Sequence, residues 1–95
     1  MAAYIIARID VTDADQYEHY KAAAPAAIAK YGGTYLTRGG AVETVEGDQE
    51  SRRVVILQFP DMDAARTFYD SPEYTAAREK RAGAASGQFL IVEGL

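Results

Sequence analysis

The segment Arg53–Phe59 alternates Val54, Ile56 and Gln58 with Val55, Leu57 and Phe59. A strand projects successive side chains to opposite faces, so this one offers apolar surface on both sides of its sheet. Such a strand is stable only where something covers each face. The pattern returns near the C-terminus, where Leu90 and Val92 alternate with Phe89 and Ile91. The remaining segments must therefore supply cover for one face, and something else must cover the other.

Tyr4–Ile9 reads as a further strand, with Ile5, Ala7 and Ile9 on one face and Tyr4, Ile6 and Arg8 on the other. Thr12 or Asp13 then offers an N-cap oxygen, with Gln16 placed to close a capping box on Asp13, for a helix that runs to Tyr31. Along it Tyr17, Tyr20, Ala24, Ala27, Ile28 and Tyr31 recur at helical spacing and form one apolar stripe. Pro25 is expected to kink or split this helix, and Gly32-Gly33 to stop it. A second strand begins near Thr34. The paired glycines of Arg38-Gly39-Gly40 imply a bulge or a close backbone approach, after which the strand is expected to resume through Val42 and Val45. The polar stretch Gly47–Ser51 turns it into Arg53–Phe59, making a hairpin. Pro60 ends that strand, and Asp61 caps a helix with Ala64, Ala65, Phe68 and Tyr69 on one side. Ser71-Pro72 is a second start signal, for a short helix over residues 73–82, because serine caps well and proline suits the first helical position. Phe89–Glu93 is the last strand.

The order is βαββαβ with an extra short helix before the last strand. That is the ferredoxin-like α+β topology, a four-stranded antiparallel sheet with its helices on one face. A chain of 95 residues has room for one such core, so residues 1–95 are expected to form a single domain. The second sheet face is left bare. Four strands about 4.8 Å apart and roughly 20 Å long make a face of about 400 Å². Two such faces meeting would remove about 800 Å² from water, worth roughly 20 kcal/mol gross at about 25 cal/mol per Å². Association costs on the order of 4 to 15 kcal/mol. A homodimer through the sheet faces is the expected solution.

Composition narrows the partners. Ten Lys and Arg against fourteen Asp and Glu give a net charge of -4, a balance that repels phosphate backbones, so no nucleic-acid partner is expected. The RNA recognition motif shares this topology, but it needs aromatics in its third strand, and Arg53-Val54-Val55-Ile56-Leu57 has none. The absence of cysteine excludes disulfides, thiolate zinc sites, iron-sulfur ligation and cysteine nucleophiles. That fits a reducing cytoplasm. No segment approaches the roughly 18 apolar residues of a membrane span, and no basic leader precedes the first apolar run; a cytoplasmic protein with no membrane partner is expected.

Read in order, Tyr31-Gly32-Gly33, Arg38-Gly39-Gly40, Glu46-Gly47, Arg53-Val54-Val55, Phe59-Pro60, Phe68-Tyr69-Asp70-Ser71-Pro72-Glu73-Tyr74, Arg81 and Val92-Glu93-Gly94 cover almost the whole chain. The set resembles a family of small bacterial proteins in the dimeric α+β barrel superfamily, known as domain of unknown function DUF1330. The resemblance implies the fold and a homodimer. The wider superfamily includes cofactor-independent monooxygenases, muconolactone isomerases, haem-dependent peroxidases and stress-responsive proteins, most with a pocket between sheet and helices.

In such a pocket Arg38, Arg53, Tyr69, Tyr74 and Arg81 are the candidate ligand-binding residues. Arginine presents a planar fork suited to a carboxylate, and tyrosines add apolar walls with one hydrogen-bonding tip each. A small anionic or aromatic ligand is expected. The alternative gives these groups structural work, with Arg53 pairing Glu43 or Glu46 across the hairpin and the Arg beside paired glycines pinning a turn. Tyr17, Tyr20 and Tyr31 read as core or interface residues. His19 is the only histidine and the candidate acid-base catalyst, with a solvent-facing helix position as the alternative. Asp15 and His19 are too few ligands to specify a metal, and the glycine pairs match no nucleotide fingerprint, so no metal or other cofactor is expected. Three readings stay open: a small-molecule-binding homodimer, a cofactor-independent monooxygenase-like or isomerase-like enzyme, and a structural dimer without ligand.

Overall fold

Strand β1 (Ala3–Val11) lies inside a four-stranded sheet, flanked on one side by β3 (Arg53–Phe59) and on the other by β4 (Ala85–Glu93). Strand β2 (Thr34–Arg38) completes the order β2-β3-β1-β4, and every neighbouring pair is antiparallel. The computed structural model describes the whole chain, Met1–Leu95. Register aligns Ile5 with Leu57 and Ile91, and Ala7 with Val55 and Phe89, so these residues share one face. Helices α1 (Ala14–Lys30), α2 (Met62–Asp70) and α3 (Pro72–Glu79) bury that face. Ala3, Ile5, Ala7 and Ile9 are all but inaccessible, as the period of two requires. The ferredoxin-like α+β fold is as expected.

Caps fix the helix starts. Asp13 accepts the Gln16 amide at 3.1 Å, and Asp61 accepts the Ala64 amide at 2.8 Å. Ser71 does two jobs at the α2–α3 corner: its hydroxyl donates to the Phe68 carbonyl at 2.7 Å and accepts the Tyr74 amide at 3.1 Å. With Pro72 at the first helical position, this buried serine turns the chain sharply enough to send Tyr74 back into the core.

Four expectations need correction. Pro25 does not split α1, which is continuous from Ala14 to Lys30. The second strand stops at Arg38, and residues 39–52, including Val42 and Val45, form no strand. Its bulge lies at Leu36, between Tyr35 and Thr37, rather than at the glycines. The last strand starts at Ala85 rather than Phe89, because Val11 pairs with Ala85 and β1 carries the ladder through residues of low strand propensity. The glycines do permit the expected close approach. Gly39 has φ +69, and a Cβ there would stand 2.3 Å from Nη1 of Arg53.

The opposite sheet face carries Tyr4, Ile6, Val54, Ile56, Leu90 and Val92, with no helix over it. Leu90 and Val92 keep 43% and 45% of their surface exposed, against 1% for Ile5 on the covered face. The contrast leaves an apolar patch in water.

Candidate functional site

Between α1 and the covered face lies a cleft of about 450 Å³, measured out to its open mouth. Its walls come from β1, β3 and β2 below and from Tyr17, Tyr20 and Ala24 of α1 above, with Phe68 and Tyr74 at one end. Thirteen of the sixteen lining residues are hydrophobic, so the other three decide what charge the cleft tolerates. They are Lys21, Arg38 and Arg53, all cations.

Each cation is held by a local cause. Arg53 opens β3 on the helix-facing side, opposite Ile9, and its guanidinium lies against the bare backbone of Gly39 and 5.9 Å from the Tyr17 ring centroid. Its Nε is buried without a hydrogen-bond partner, and no carboxylate pairs with it; the alternative pairing with Glu43 or Glu46 is not formed. Arg38 is exposed at the mouth. Its Nη2 donates to the Lys21 carbonyl at 2.7 Å. Lys21 is four residues before Pro25, so its carbonyl is the one that a proline, lacking an N–H, leaves without a helical donor. Arg38 supplies the missing donor from the neighbouring strand, which explains why α1 runs on through Pro25. The same guanidinium lies over the Tyr35 ring at 4.9 Å. Lys21 pairs with Glu18 at 3.0 Å.

At the inner end, the hydroxyls of Tyr20 and Tyr74 stand 2.6 Å apart. Both residues are buried and both line the cleft. Burial, and then the neighbouring Tyr74, raise the Tyr20 phenol well above its ordinary pKa of 10.0, so it stays protonated. Tyr17 is also raised, by burial, with Arg53 opposing. Behind the pair, the Arg81 guanidinium lies 5.1 Å from the Tyr20 ring and 4.9 Å from the Phe89 ring, with its Nε buried and unpartnered.

The six residues singled out in the sequence thus divide. Arg38, Arg53 and Tyr74 line the cleft. Arg81 is packed behind it, and Tyr69 is half-buried outside it, its ring 5.5 Å from Tyr74 and 6.2 Å from Phe89. His19 is exposed on α1, away from the cleft-facing Tyr17 and Tyr20, so the acid-base role expected of it has no place there. Sequence reasoning missed Lys21, Tyr17, Tyr20 and Tyr35 as lining groups. The tyrosines of α1 were indistinguishable from core by periodicity, whereas Pro25 was a usable signal: the carbonyl four residues before it needs a donor from elsewhere. No group of three or more His, Cys, Asp or Glu is clustered to hold a metal ion, and no helix is long and apolar enough to cross a membrane.

A four-stranded antiparallel sheet with its helices on one face defines the class of ferredoxin-like α+β proteins. Within it, the chain belongs to the family described as domain of unknown function DUF1330, whose model matches residues 2–95. No curated protein matches the sequence. Among solved structures, it is similar to RPA0582 of Rhodopseudomonas palustris, a protein of unknown function (18% identity, TM-score 0.78, covering 99% of this chain and 82% of that one). It is also similar to SnoaB of Streptomyces nogalater, a cofactor-independent oxygenase (17% identity, TM-score 0.70, 99% and 93% covered). A third, a dimeric ferredoxin-like protein of unknown function from Thermobifida fusca, shares 22% identity at TM-score 0.64, with 99% and 92% covered. At these identities the likeness is one of fold.

Proposed function

We propose that the protein is a homodimer that binds a small anionic aromatic molecule in the cleft between sheet and helices. The observation that carries this reading is the polarity of the lining: apolar and aromatic walls whose charged members are all cations, one of them Arg53 with a buried nitrogen and no acid partner. A chain with fourteen acidic residues is not short of carboxylates, yet none reaches Arg53. The homodimer is supported by the exposed apolar sheet face and by the dimeric state of the Thermobifida fusca relative in fold. Its measurement is the mass in solution, expected at twice the 10.3 kDa of one chain.

The test is calorimetric titration with benzoate and with its neutral isostere benzamide. Benzoate is expected to bind, benzamide to bind much more weakly, and Arg53→Met to weaken benzoate about 10- to 100-fold, the range for a lost charge-assisted hydrogen bond. Equal binding of the two probes, or an Arg53→Met protein that binds benzoate as well as the parent, sinks the reading.

A further inference from the structure

The Tyr20–Tyr74 pair is unbalanced in hydrogens. Two phenols bring two O–H donors; one is used between them at 2.6 Å. The other finds no acceptor, since the remaining polar neighbour of both hydroxyls is the Arg81 guanidinium. The polar group beside them, Arg81, cannot accept, because a guanidinium carries donors only, and its own buried Nε also lacks a partner. The inner end of the cleft therefore holds surplus donors in an apolar setting, where an unmade hydrogen bond is costly. Surface arginines and tyrosines discharge such surplus to water, but Tyr74 retains 2% of its surface and Tyr20 8%.

We propose that the Tyr20–Tyr74 hydroxyl pair, backed by Arg81, is the specificity element of the cleft and takes an acceptor oxygen of the ligand, a carbonyl, enolate or second carboxylate oxygen, at the end opposite its Arg53-bound acid group. This rests on the proposed anion-binding role of the cleft and names the ligand class more narrowly: an aromatic or otherwise flat acid bearing a second, acceptor oxygen. Because burial raises the Tyr20 phenol well above its ordinary value, that hydroxyl keeps its proton across the whole neutral range. A ligand whose far end carries only a donor, or an alkyl group, leaves the surplus hydrogen unmatched.

The probes are the ortho, meta and para isomers of formylbenzoate and methylbenzoate, titrated into the native protein, into Tyr20→Phe and Tyr74→Phe, and into the double variant that carries both. Each substitution removes one hydroxyl and keeps the ring, and thermal melts report folding of each variant. A formyl group is more strongly hydrated than a methyl, so an apolar cleft without a free donor prefers the methyl isomer. The expected result is that at least one formyl isomer binds about 5- to 10-fold tighter than its methyl counterpart, a preference that each single variant can keep through its one remaining hydroxyl and that the double variant loses. Methyl binding as tight as formyl for every isomer overturns the proposal, as does a formyl preference that survives in the double variant. Either of those results leaves the Arg53 anion site standing if the methylbenzoates bind and lose affinity in Arg53→Met. Absence of binding by all six acids overturns both readings together.

Discussion

Arg8, Arg52 and Arg66 meet carboxylates, whereas Arg38, Arg53, Arg78 and Arg81 meet aromatic rings. The first set lies at the periphery: Arg52 holds Glu50 through Nε at 3.0 Å, Arg8 approaches the same carboxylate at 3.7 Å, and Arg66 pairs with Asp63 one helical turn away. The second set surrounds the aromatic cluster, on Tyr35, Tyr17, Tyr69 and Tyr20, at 4.4 to 5.9 Å from the ring centroids. None of its members has an acidic partner. An arginine stacked on a ring gains cation–π and dispersion energy while keeping its in-plane donors free, which an ion pair does not allow. The outer arginines thus tie loops and helix surfaces together with their charge spent, and the inner ones are held in place with their charge still available.

The comparison breaks most sharply at Gly39. Its positive φ and the 2.3 Å that would separate an added Cβ from Arg53 mean that Gly39→Ala both strains the backbone and expels the guanidinium. Gly47 provides the matched control, since it also has positive φ (+89) but faces open space. Left-handed backbone costs a non-glycine residue about 1–2 kcal/mol. Gly47→Ala is expected to lose about 1 kcal/mol in urea denaturation with benzoate affinity unchanged, and Gly39→Ala about 2 kcal/mol with a clear loss of benzoate affinity. Identical behaviour of the two variants would remove the claim that Gly39 exists to seat Arg53.

Much of this architecture was legible from period alone. The alternation of β1, β3 and β4 marked both sheet faces, and the apolar stripe of α1 placed Tyr17 and Tyr20 inward, because those patterns reflect burial directly. Residues 39–52 misled because Val42 and Val45 alternate like a short strand, yet after the Gly39 amide donates to Val54 no further ladder bonds to β3 follow. Two site features depended on side chains meeting across the fold. The rescue of the Lys21 carbonyl by Arg38 joins a helix to a strand beyond the next turn, and the Tyr20–Tyr74 contact spans residues far apart in the chain. Neither leaves a periodic trace. His19 misled for the opposite reason: its chemistry drew notice while its helical phase, set by its buried neighbours Tyr17 and Tyr20, turned it to solvent.

A smaller effect sharpens the difference between Arg38 and an outer arginine. Arg38→Met strips the donor from the Lys21 carbonyl and is expected to cost about 1 kcal/mol, while Arg66→Met, which loses only an exposed helical pair, is expected to cost a few tenths at most. Pro25→Ala restores a backbone N–H four residues after Lys21. In that background Arg38→Met should be nearly neutral, giving a coupling of about 1 kcal/mol in a double-mutant cycle by urea denaturation. An additive cycle would show that Arg38 stays for its ring contact with Tyr35 alone.

The subtlest distinction is one of pH. The outer pairs involve carboxylates and therefore respond to acid, whereas the inner arginines have no titrating partner of that kind. Glu73, at the start of α3, accepts from Lys30 Nζ and from the Tyr31 hydroxyl at 2.7 Å, tying the end of α1 to α3. The Lys30 hydrogen bond first, and then Tyr31, hold its carboxyl at about 2 instead of 4.5. A carboxyl whose folded pKa is depressed stabilises the fold fully above the unfolded value and loses that contribution as pH falls through the folded one. The Lys30–Glu73–Tyr31 tie should therefore be intact above pH about 4.5 and be lost progressively down to about 2. Because the group is solvent-exposed, the contribution is small and screened by salt. Glu73→Gln should melt at a lower temperature than the parent at pH 6, and the gap should narrow steadily as pH falls from about 4.5 towards 2. Glu50, held at about 2 chiefly by its hydrogen bonds to Arg52, should show the same closing gap in Glu50→Gln. Arg78→Met, taken from the inner set, should differ from the parent by an amount that is flat across that window, since its contacts are Tyr69, Tyr74 and the Thr75 hydroxyl, none of which is a carboxylate. A pH-dependent gap for Arg78→Met would place a carboxylate in the inner set and erase the division between the two groups of arginines.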